Sequence, residues 1–267
     1  MSRRLTILAG AGALVPEVID GARAAGDKVQ VLPLVERPDL GLDEIFGAAD
    51  LPKLIWKITS FRTTHVTMVG GLKPPTAERE AFKRFAGAKG PSGDSALLKF
   101  AEKVLGMTGA KVVGAEAIVP DILAGSGLIA GPPVAPALLP VARFALETAR
   151  AIGALDAGQA VVVAPGRVIA VEDIAGTDAL LARVAHYRDE GLGADVPLIL
   201  AKALKPQQSR LVDRPAIGPE TIRRAAAAGV SIIAVEANGA IIIDRKAVSA
   251  GASEAGISIV GIALDNV

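Results

Sequence analysis

Residues 5–26 read LTILAGAGALVPEVIDGARAAG and predict a strand, a glycine turn and a helix in direct succession. The run LTILAG is short, apolar and closed by glycine, which is typical of a buried strand. From Pro16 the apolar residues recur at helical spacing until Gly26 ends the pattern. Further apolar runs follow at 28–35, 65–71 and 110–115, with helical patterns at 50–64 and 92–109. This alternation predicts an α/β fold with a Rossmann-like, mostly parallel N-terminal sheet and helices on both of its faces.

The second half is also α/β, but its patterns predict hairpins and therefore a mixed sheet. GQAVVVAPGRVIAVE (158–172) has two apolar runs around a Pro-Gly turn, and VSIIAVEANGAIIID (230–244) has two around Asn-Gly. Between the two halves the sequence becomes rich in Gly, Pro and Ala and has few charged residues. We therefore place an N-terminal Rossmann-like domain at 1–130, a linker at 131–137 and a C-terminal α/β domain, the candidate for the catalytic one, at 138–267.

The amino-acid composition excludes several classes of site and partner. The 267 residues are 51% hydrophobic but only 3% aromatic, so the core must be aliphatic. A net charge of +1 offers no strong basic field, so we expect no nucleic-acid partner. The chain has no cysteine, which excludes disulfides and cysteine metal sites, and it has only two histidines. The apolar stretch 126–146 is interrupted by four prolines and Arg143, so we expect a cytoplasmic protein without a spanning helix.

Two glycine turns follow predicted strands of the first half. Gly10 and Gly12, followed by Ala13 and Leu14, lie between the predicted strand and the predicted helix, where backbone N–H groups can meet an anion. A dinucleotide fingerprint would need a third glycine at Val15, so a tight turn and a phosphate contact both remain open. The second turn supplies further candidate contacts, Gly71 and Lys73, and Asp94 farther on is either a helix cap or a ligand.

A sharper pattern lies at VEDIAGTDALLARV (171–184). A strand delivers Glu172, and a helix begins at Thr177 and Asp178, where it could bind an anion. Magnesium favours one or two carboxylates together with substrate phosphates, so Glu172 and Asp178 are candidate ligands. The alternative is a capped helix with solvated acids. Gln159, at a strand start, could orient a ligand or close a turn.

The loop KALKPQQSRLVDRPAIGP (202–219) concentrates polar side chains between prolines. Its bases can neutralise a pyrophosphate, and bases beside its single carboxylate, Asp213, should lower the pKa of that carboxyl and keep it ionised. An ionised aspartate suits a metal ligand or a base for water. The alternative is an ion-paired surface loop. The candidates here are Lys202, Lys205, Gln208, Arg210 and Asp213.

Together these motifs resemble one family, the UDP-2,3-diacylglucosamine pyrophosphatases of lipid A synthesis in Gram-negative bacteria. The matching stretches follow the family's order over nearly the whole chain: LAGAGALVPE, MVGGLKPP, GDSALL, GALDAGQAVVV, VEDIAGTDALLARV, KALKPQQSRLVDRPAIGPETI and the tail from Gly229. The resemblance implies Mg²⁺-dependent hydrolysis of UDP-2,3-diacylglucosamine to UMP and 2,3-diacylglucosamine 1-phosphate (lipid X). It also implies that Asp213 is essential, and that Gln159, Thr177 and Asp178 contact metal or phosphate.

The chain departs from the family pattern at several site edges. Ala11 interrupts three consecutive glycines, Ala175 replaces an acid, and Ser95 replaces an aspartate. In the mechanism we expect, Asp213 holds Mg²⁺ with the assistance of Asp178 or Glu172, and the metal or Asp213 activates water. Lys205 and Arg210 stabilise charge on the phosphate oxygens. A homodimer and peripheral contact with the inner membrane are further expectations. The competing hypotheses are a nucleotide-linked oxidoreductase and a non-catalytic nucleotide- or lipid-binding protein.

Overall fold

The computed structural model describes residues 2–47, 50–71, 105–106, 108–193, 195–206 and 214–264. These residues form two compact units, and the change from the first unit to the second falls between Pro120 and Asp121. The helices and strands confirm the α/β class, and each unit has its own sheet.

The first unit is a four-stranded, wholly parallel sheet in the order β2-β1-β3-β4. Its strands are β1 (Arg4–Ala9), β2 (Lys28–Pro33), β3 (His65–Val69) and β4 (Lys111–Val112), and its helices are α1 (Leu14–Ala24) and α2 (Leu51–Ser60). Aliphatic side chains such as Leu8 and Ile58 fill its core. The strand, turn and helix predicted from residues 5–26 are therefore confirmed.

The second unit contains a six-stranded mixed sheet in the order β5-β12-β10-β8-β6-β7. Its strands are β5 (Gly127–Ala130), β6 (Ala160–Ala164), β7 (Arg167–Val171), β8 (Leu198–Lys202), β10 (Val230–Glu236) and β12 (Ser258–Ile262). A separate pair consists of β9 (Ala216–Ile217) and β11 (Ile241–Ile242). Its helices are α3 (Leu139–Ala154), α4 (Gly176–Asp189), α5 (Pro219–Ala227) and α6 (Arg245–Glu254).

Successive side chains along a strand point to opposite faces of this sheet, and helices pack on both faces. Val161 and Val163 of β6 pack with the alanines of α3, whereas Val162 packs with buried residues of α4, α5 and α6. All the residues of β6 and β8 are buried, which explains their continuous apolar sequence.

The pairing confirms one predicted hairpin and corrects the other. β6 and β7 form the antiparallel hairpin expected at 158–172. The hairpin expected at 230–244 is wrong, because β11 pairs in parallel with β9 and not with β10. β5, which the predicted boundary at 130 assigned to the first domain, pairs antiparallel with β12 of the second unit's sheet. Among the described residues, no helix is both long and apolar enough to cross a membrane.

Candidate functional site

One edge of the second sheet brings together most of the described candidates of the C-terminal half. β8, β10 and β12 are parallel and end at this edge, and the antiparallel hairpin makes β6 begin and β7 end there too. We call it the carboxyl edge. Gln159 precedes β6, Glu172 follows β7, Lys202 ends β8, and α4 starts beside them at Gly176. Ligands of open α/β sheets bind at such an edge.

Glu172 is the central carboxylate of this edge, and only 8% of its surface is exposed. Its Oε2 accepts a hydrogen bond from the backbone N–H of Gln159 at 2.7 Å. Its Oε1 accepts one from the hydroxyl of Thr177 at 2.6 Å. Gly158 allows this approach, because a Cβ there would lie 2.5 Å from the carbonyl oxygen of Glu172. Glu172 thus ties the start of β6 to the first turn of α4.

Gln159 links the hairpin to β8 and has a polar end that no described group satisfies. Its carbonyl oxygen accepts from the backbone N–H of Ala203 at 3.1 Å. Its side-chain Oε1 is buried and has no hydrogen-bond partner among the described residues. A buried acceptor without a partner is costly, so this amide end is suited to a ligand group or a bound water.

Asp178 lies in the first turn of α4 with its side chain 61% exposed, and an oxygen lies 3.5 Å from Nε of Arg224. Arg224 also pairs with Glu220, at 2.7 Å. The pKa of Glu220 is lowered to about 2, chiefly by its hydrogen bond to Arg223. Within the described ranges, no group of three His, Asp or Glu side chains could hold a metal ion. Glu172 and Asp178 are therefore engaged with protein groups, and their assignment as metal ligands remains a prediction.

The two lysines of the edge are in different settings. Lys202 is buried, and its Nζ donates to the carbonyl oxygen of Ala216 at 2.9 Å. Nζ of Lys205 forms an ion pair with Asp156 at 2.8 Å, and its side chain is 15% exposed. Asp156 has a left-handed backbone, with φ of 57°, which aspartate tolerates better than most residues. Lys205 is thus the more accessible of the two cations.

The glycine turns of the first unit are joined to each other. The backbone N–H of Ala11 donates to the carbonyl of Gly71, and the N–H of Gly71 donates to the carbonyl of Ala11, both at 2.9 Å. A Cβ on Gly10 would lie 2.7 Å from the oxygen of Gly71, so this approach requires glycine. Gly12 (φ 106°) and Ala13 stay exposed at the start of α1, which no side chain caps. Leu14 is buried in the first turn of α1. Gly12, Ala13 and Gly71 are exposed, and an anion contact at these turns remains a prediction.

Sequence reasoning missed three charged residues that support these turns and loops. Arg37 is 4% exposed, donates to the carbonyl of Gly10, and holds Asp39 through two hydrogen bonds of 2.6 and 2.8 Å. The hydrogen bond from Arg37 is the main cause of the lowered pKa of Asp39. Glu236 is a buried carboxylate at the end of β10, and Asp156 holds Lys205. Glu236 and Asp156 belong to no recognisable motif, so nothing in the sequence indicated their roles. The only available signal was the Arg-Pro-Asp triplet after β2, which contains Arg37.

Five candidates lie outside the described residues: Lys73, Asp94, Gln208, Arg210 and Asp213. Their predicted roles remain predictions.

Comparison with known proteins adds the family. The model of the LpxI N-terminal domain matches residues 4–122, and that of the LpxI C-terminal domain matches residues 126–260. A protein named UDP-2,3-diacylglucosamine pyrophosphatase LpxI, from Caulobacter vibrioides (strain ATCC 19089 / CIP 103742 / CB 15), is 34% identical over 277 residues. That alignment covers 97% of this chain and 98% of the relative. These matches confirm the resemblance that the motifs indicated.

Proposed function

The chain belongs to the LpxI family, and we propose that it hydrolyses the pyrophosphate of UDP-2,3-diacylglucosamine in lipid A synthesis. The observation that carries the proposal is the 34% identity to a pyrophosphatase across nearly the full length of both chains. Water adds to one phosphorus as the bridging P–O bond breaks, so the products are UMP and 2,3-diacylglucosamine 1-phosphate.

The carboxyl edge of the second sheet is the proposed seat of the chemistry. Lys205 presents a cation held by Asp156, and the first turn of α4 presents backbone N–H groups beside Thr177. Both features stabilise negative charge on phosphate oxygens. The unpaired amide end of Gln159 is suited to orient the substrate.

Asp213 is the proposed base, although it lies outside the described residues. An ionised aspartate can take a proton from water as that water attacks phosphorus. Arg210, on the same loop, is the proposed second cation on the phosphate oxygens. The described part of the chain supports this choice indirectly, because both carboxylate oxygens of Glu172 already accept hydrogen bonds from protein groups.

Magnesium is a separate part of the proposal. No group of three described acids or histidines forms a metal site, so the proposed ligands are Asp213 and the substrate phosphates, with Glu172 or Asp178 assisting. Such a small protein contribution is common for this ion, which keeps several waters. When bound, it would neutralise charge on the pyrophosphate.

The experiment measures UMP release from UDP-2,3-diacylglucosamine, with Mg²⁺ and with EDTA. Asp213→Asn keeps the shape of the side chain but removes the base. Asp189→Asn is the matched control, because Asp189 is exposed at the far end of α4. We expect release by the wild type and the control and its loss in Asp213→Asn. Full activity in Asp213→Asn would refute the base, and activity unchanged by EDTA would refute the metal.

Peripheral contact with a membrane is a further proposal, supported by two exposed aliphatic side chains at the carboxyl edge. Ile174, between β7 and α4, is 98% exposed, and Leu155, between α3 and β6, is 80% exposed. A diacylated substrate resides in a bilayer, so apolar side chains near the site would bring the enzyme to it. Leu155→Ser with Ile174→Ser should weaken cosedimentation with lipid vesicles. Leu192→Ser is the control, because Leu192 is 58% exposed after the opposite end of α4.

A homodimer is also proposed. Light scattering after size-exclusion chromatography decides it, and a monomeric mass would refute it.

A further inference from the structure

The turn between α3 and β6 contains a residue whose backbone conformation few side chains adopt. Asp156 has a φ of 57°, in the left-handed region that glycine enters without strain. In other residues such a conformation stores strain, and strained positions of this kind cluster at functional sites. Glycine would form this turn at a lower cost, so the turn by itself does not require a carboxylate. The role of Asp156 therefore lies in what its carboxylate contacts.

The carboxylate of Asp156 contacts the ammonium of Lys205. Its Oδ1 lies 2.8 Å from Nζ, and the side chains of Lys205 and Asp156 are 15% and 30% exposed, so the protein shields much of this ion pair from solvent. The stem of the lysine is held as well. A Cβ on Gly153, in the last turn of α3, would lie 3.1 Å from Cγ of Lys205, so the stem packs directly against this glycine. Lys205 is thus held both at its stem and at its charged end.

Backbone hydrogen bonds fix the two chain segments that carry the ion pair. The N–H of Asp156 donates to the carbonyl of Gly153 at 3.0 Å, which ties the turn to the end of α3. The carbonyl of Gln159, just before β6, accepts from the N–H of Ala203, just after β8, at 3.1 Å. Both side chains therefore extend from a fixed backbone, and their contact determines where the ammonium lies.

An ammonium on a long, flexible stem samples many positions unless the protein holds it. It stabilises a phosphoryl transition state best when it is already in place as negative charge develops. An ammonium has three N–H donors, and a bond from one of them to a carboxylate leaves the lysine protonated.

We propose that Asp156 is a positioning residue that holds the ammonium of Lys205 toward the pyrophosphate. This inference rests on the proposed function, because Lys205 is a cation on the phosphate oxygens there. It explains why a carboxylate occupies a left-handed position that glycine would fill with less strain.

The left-handed backbone makes Asp156→Gly an informative variant. Glycine accepts this φ without strain, so we expect the urea midpoint to stay within about 0.3 M of wild type. We expect kcat to fall about 10- to 100-fold, with KM within about threefold of wild type. Asp156→Asn keeps the shape and a neutral hydrogen bond, so its kcat should fall only about 3- to 10-fold. The matched control is Arg62→Gly, at an exposed residue of the first unit with a φ of 53°, and it should leave kcat unchanged.

A double-mutant cycle separates positioning from a general contribution to the fold. Lys205→Met should lower kcat about 100-fold. If Asp156 acts through Lys205, adding Asp156→Gly to Lys205→Met should change kcat by less than about twofold. Losses that multiply in the double variant overturn the proposal. A folded Asp156→Gly enzyme with kcat within about twofold of wild type also overturns it. If Asp156→Gly fails to fold, Asp156→Asn replaces it in the cycle, and full kcat in Asp156→Asn overturns the proposal.

Chemical labelling of Lys205 gives a readout that does not depend on activity. The rate of acetylation by acetic anhydride, followed by mass spectrometry, should rise at Lys205 in Asp156→Gly and stay at the wild-type value in Arg62→Gly. An unchanged rate at Lys205 in Asp156→Gly overturns the holding role. If the wild type releases no UMP, the proposed function fails and the catalytic part of this inference fails with it. The labelling rate then shows separately whether Asp156 holds the ammonium.

Discussion

Replacing Glu172 should destabilise the second unit, because its carboxylate is a structural support. In Glu172→Ala, the N–H of Gln159 and the hydroxyl of Thr177 both lose their acceptor. Each hydrogen bond to a charged group is worth about 1.5–3 kcal/mol, and an unsatisfied buried donor costs about 1–3 kcal/mol. Since both partners are only partly buried, we expect about 3 kcal/mol of lost stability rather than the sum of the upper values.

Glu172→Gln separates the shape of the side chain from its charge. The amide oxygen can accept from Gln159, and the amide nitrogen can donate to the oxygen of Thr177. Both contacts survive as neutral hydrogen bonds, so the loss should be about 1 kcal/mol. Glu190→Ala is the control, since Glu190 is exposed at the end of α4 and its pair with His186 should contribute about 0.5 kcal/mol or less.

The assay is urea unfolding followed by far-ultraviolet circular dichroism, without Mg²⁺ or substrate. With a slope of about 2 kcal/mol/M, a loss of 3 kcal/mol lowers the midpoint by about 1.5 M. A metal ligand should behave differently, because its removal would leave the metal-free protein as stable and weaken only activation by Mg²⁺. A midpoint in Glu172→Ala within about 0.3 M of wild type would therefore refute the structural role.

Three further perturbations test other contacts. Gly10→Ala should cost about 2–3 kcal/mol in urea unfolding, because its Cβ would meet the backbone of Gly71. Gly71→Ala is the control and should cost about 0.5 kcal/mol or less, because a Cβ there meets no described atom within 4 Å. Asp244→Ala should lower the free energy of unfolding by about 1–2 kcal/mol, because Asp244 caps α6 by accepting from the N–H of Ala247 at 3.0 Å. Asp244→Asn should retain most of that stability. Equal urea midpoints for the two variants would contradict the cap. The ion pairs of Glu220 should stabilise the fold above pH 4.5 and lose their effect as the pH falls to about 2. In an NMR titration, Arg223→Gln should return the pKa of Glu220 toward 4.5.

The first unit could be predicted from sequence because its signals are local. Each strand and helix there shows its own periodicity, and parallel order follows from the alternation of the two. The second unit depends on pairings between distant segments. Ile241 pairs with Ala216, and Leu128 with Val260, and no local pattern encodes either partner. The Asn-Gly turn at 238–239 was identified correctly as a turn, with Asn238 at a φ of 57°, but a turn does not determine which strand the next segment joins.

The candidate site divides along the same line. Gln159, Glu172, Thr177, Lys202 and Lys205 could be proposed because each follows or precedes an apolar run, and sheet topology then places them on one edge. The division between ligands and supports could not be read from sequence. A carboxylate beside a helix start has the same sequence pattern whether it binds a metal or, as Glu172 does with Gln159 and Thr177, accepts hydrogen bonds from the protein. Burial and hydrogen-bond geometry reveal the second role, and the first remains a prediction.

The same geometry explains why the departures from the family pattern are compatible with the fold. Ala11 stands between two glycines, but its backbone makes the bridge to Gly71, its φ is not positive and its surface is exposed. Gly10 and Gly12 on either side could not be replaced in this way, because one has no room for a Cβ and the other has a φ of 106°.

At Ala175, too, the backbone rather than the side chain contributes to the fold. It precedes α4 with a φ of −78°, and its N–H donates to a carboxylate oxygen of Asp173 at 2.8 Å. A residue that contributes through its backbone can change its side chain without moving the first turn of the helix. Since Thr177 and Glu172 still meet there, the acid expected at position 175 is not needed to form the edge. Ala175→Asp should therefore change stability by about 0.5 kcal/mol or less, and a larger shift of the urea midpoint would show that this turn depends on the residue it carries.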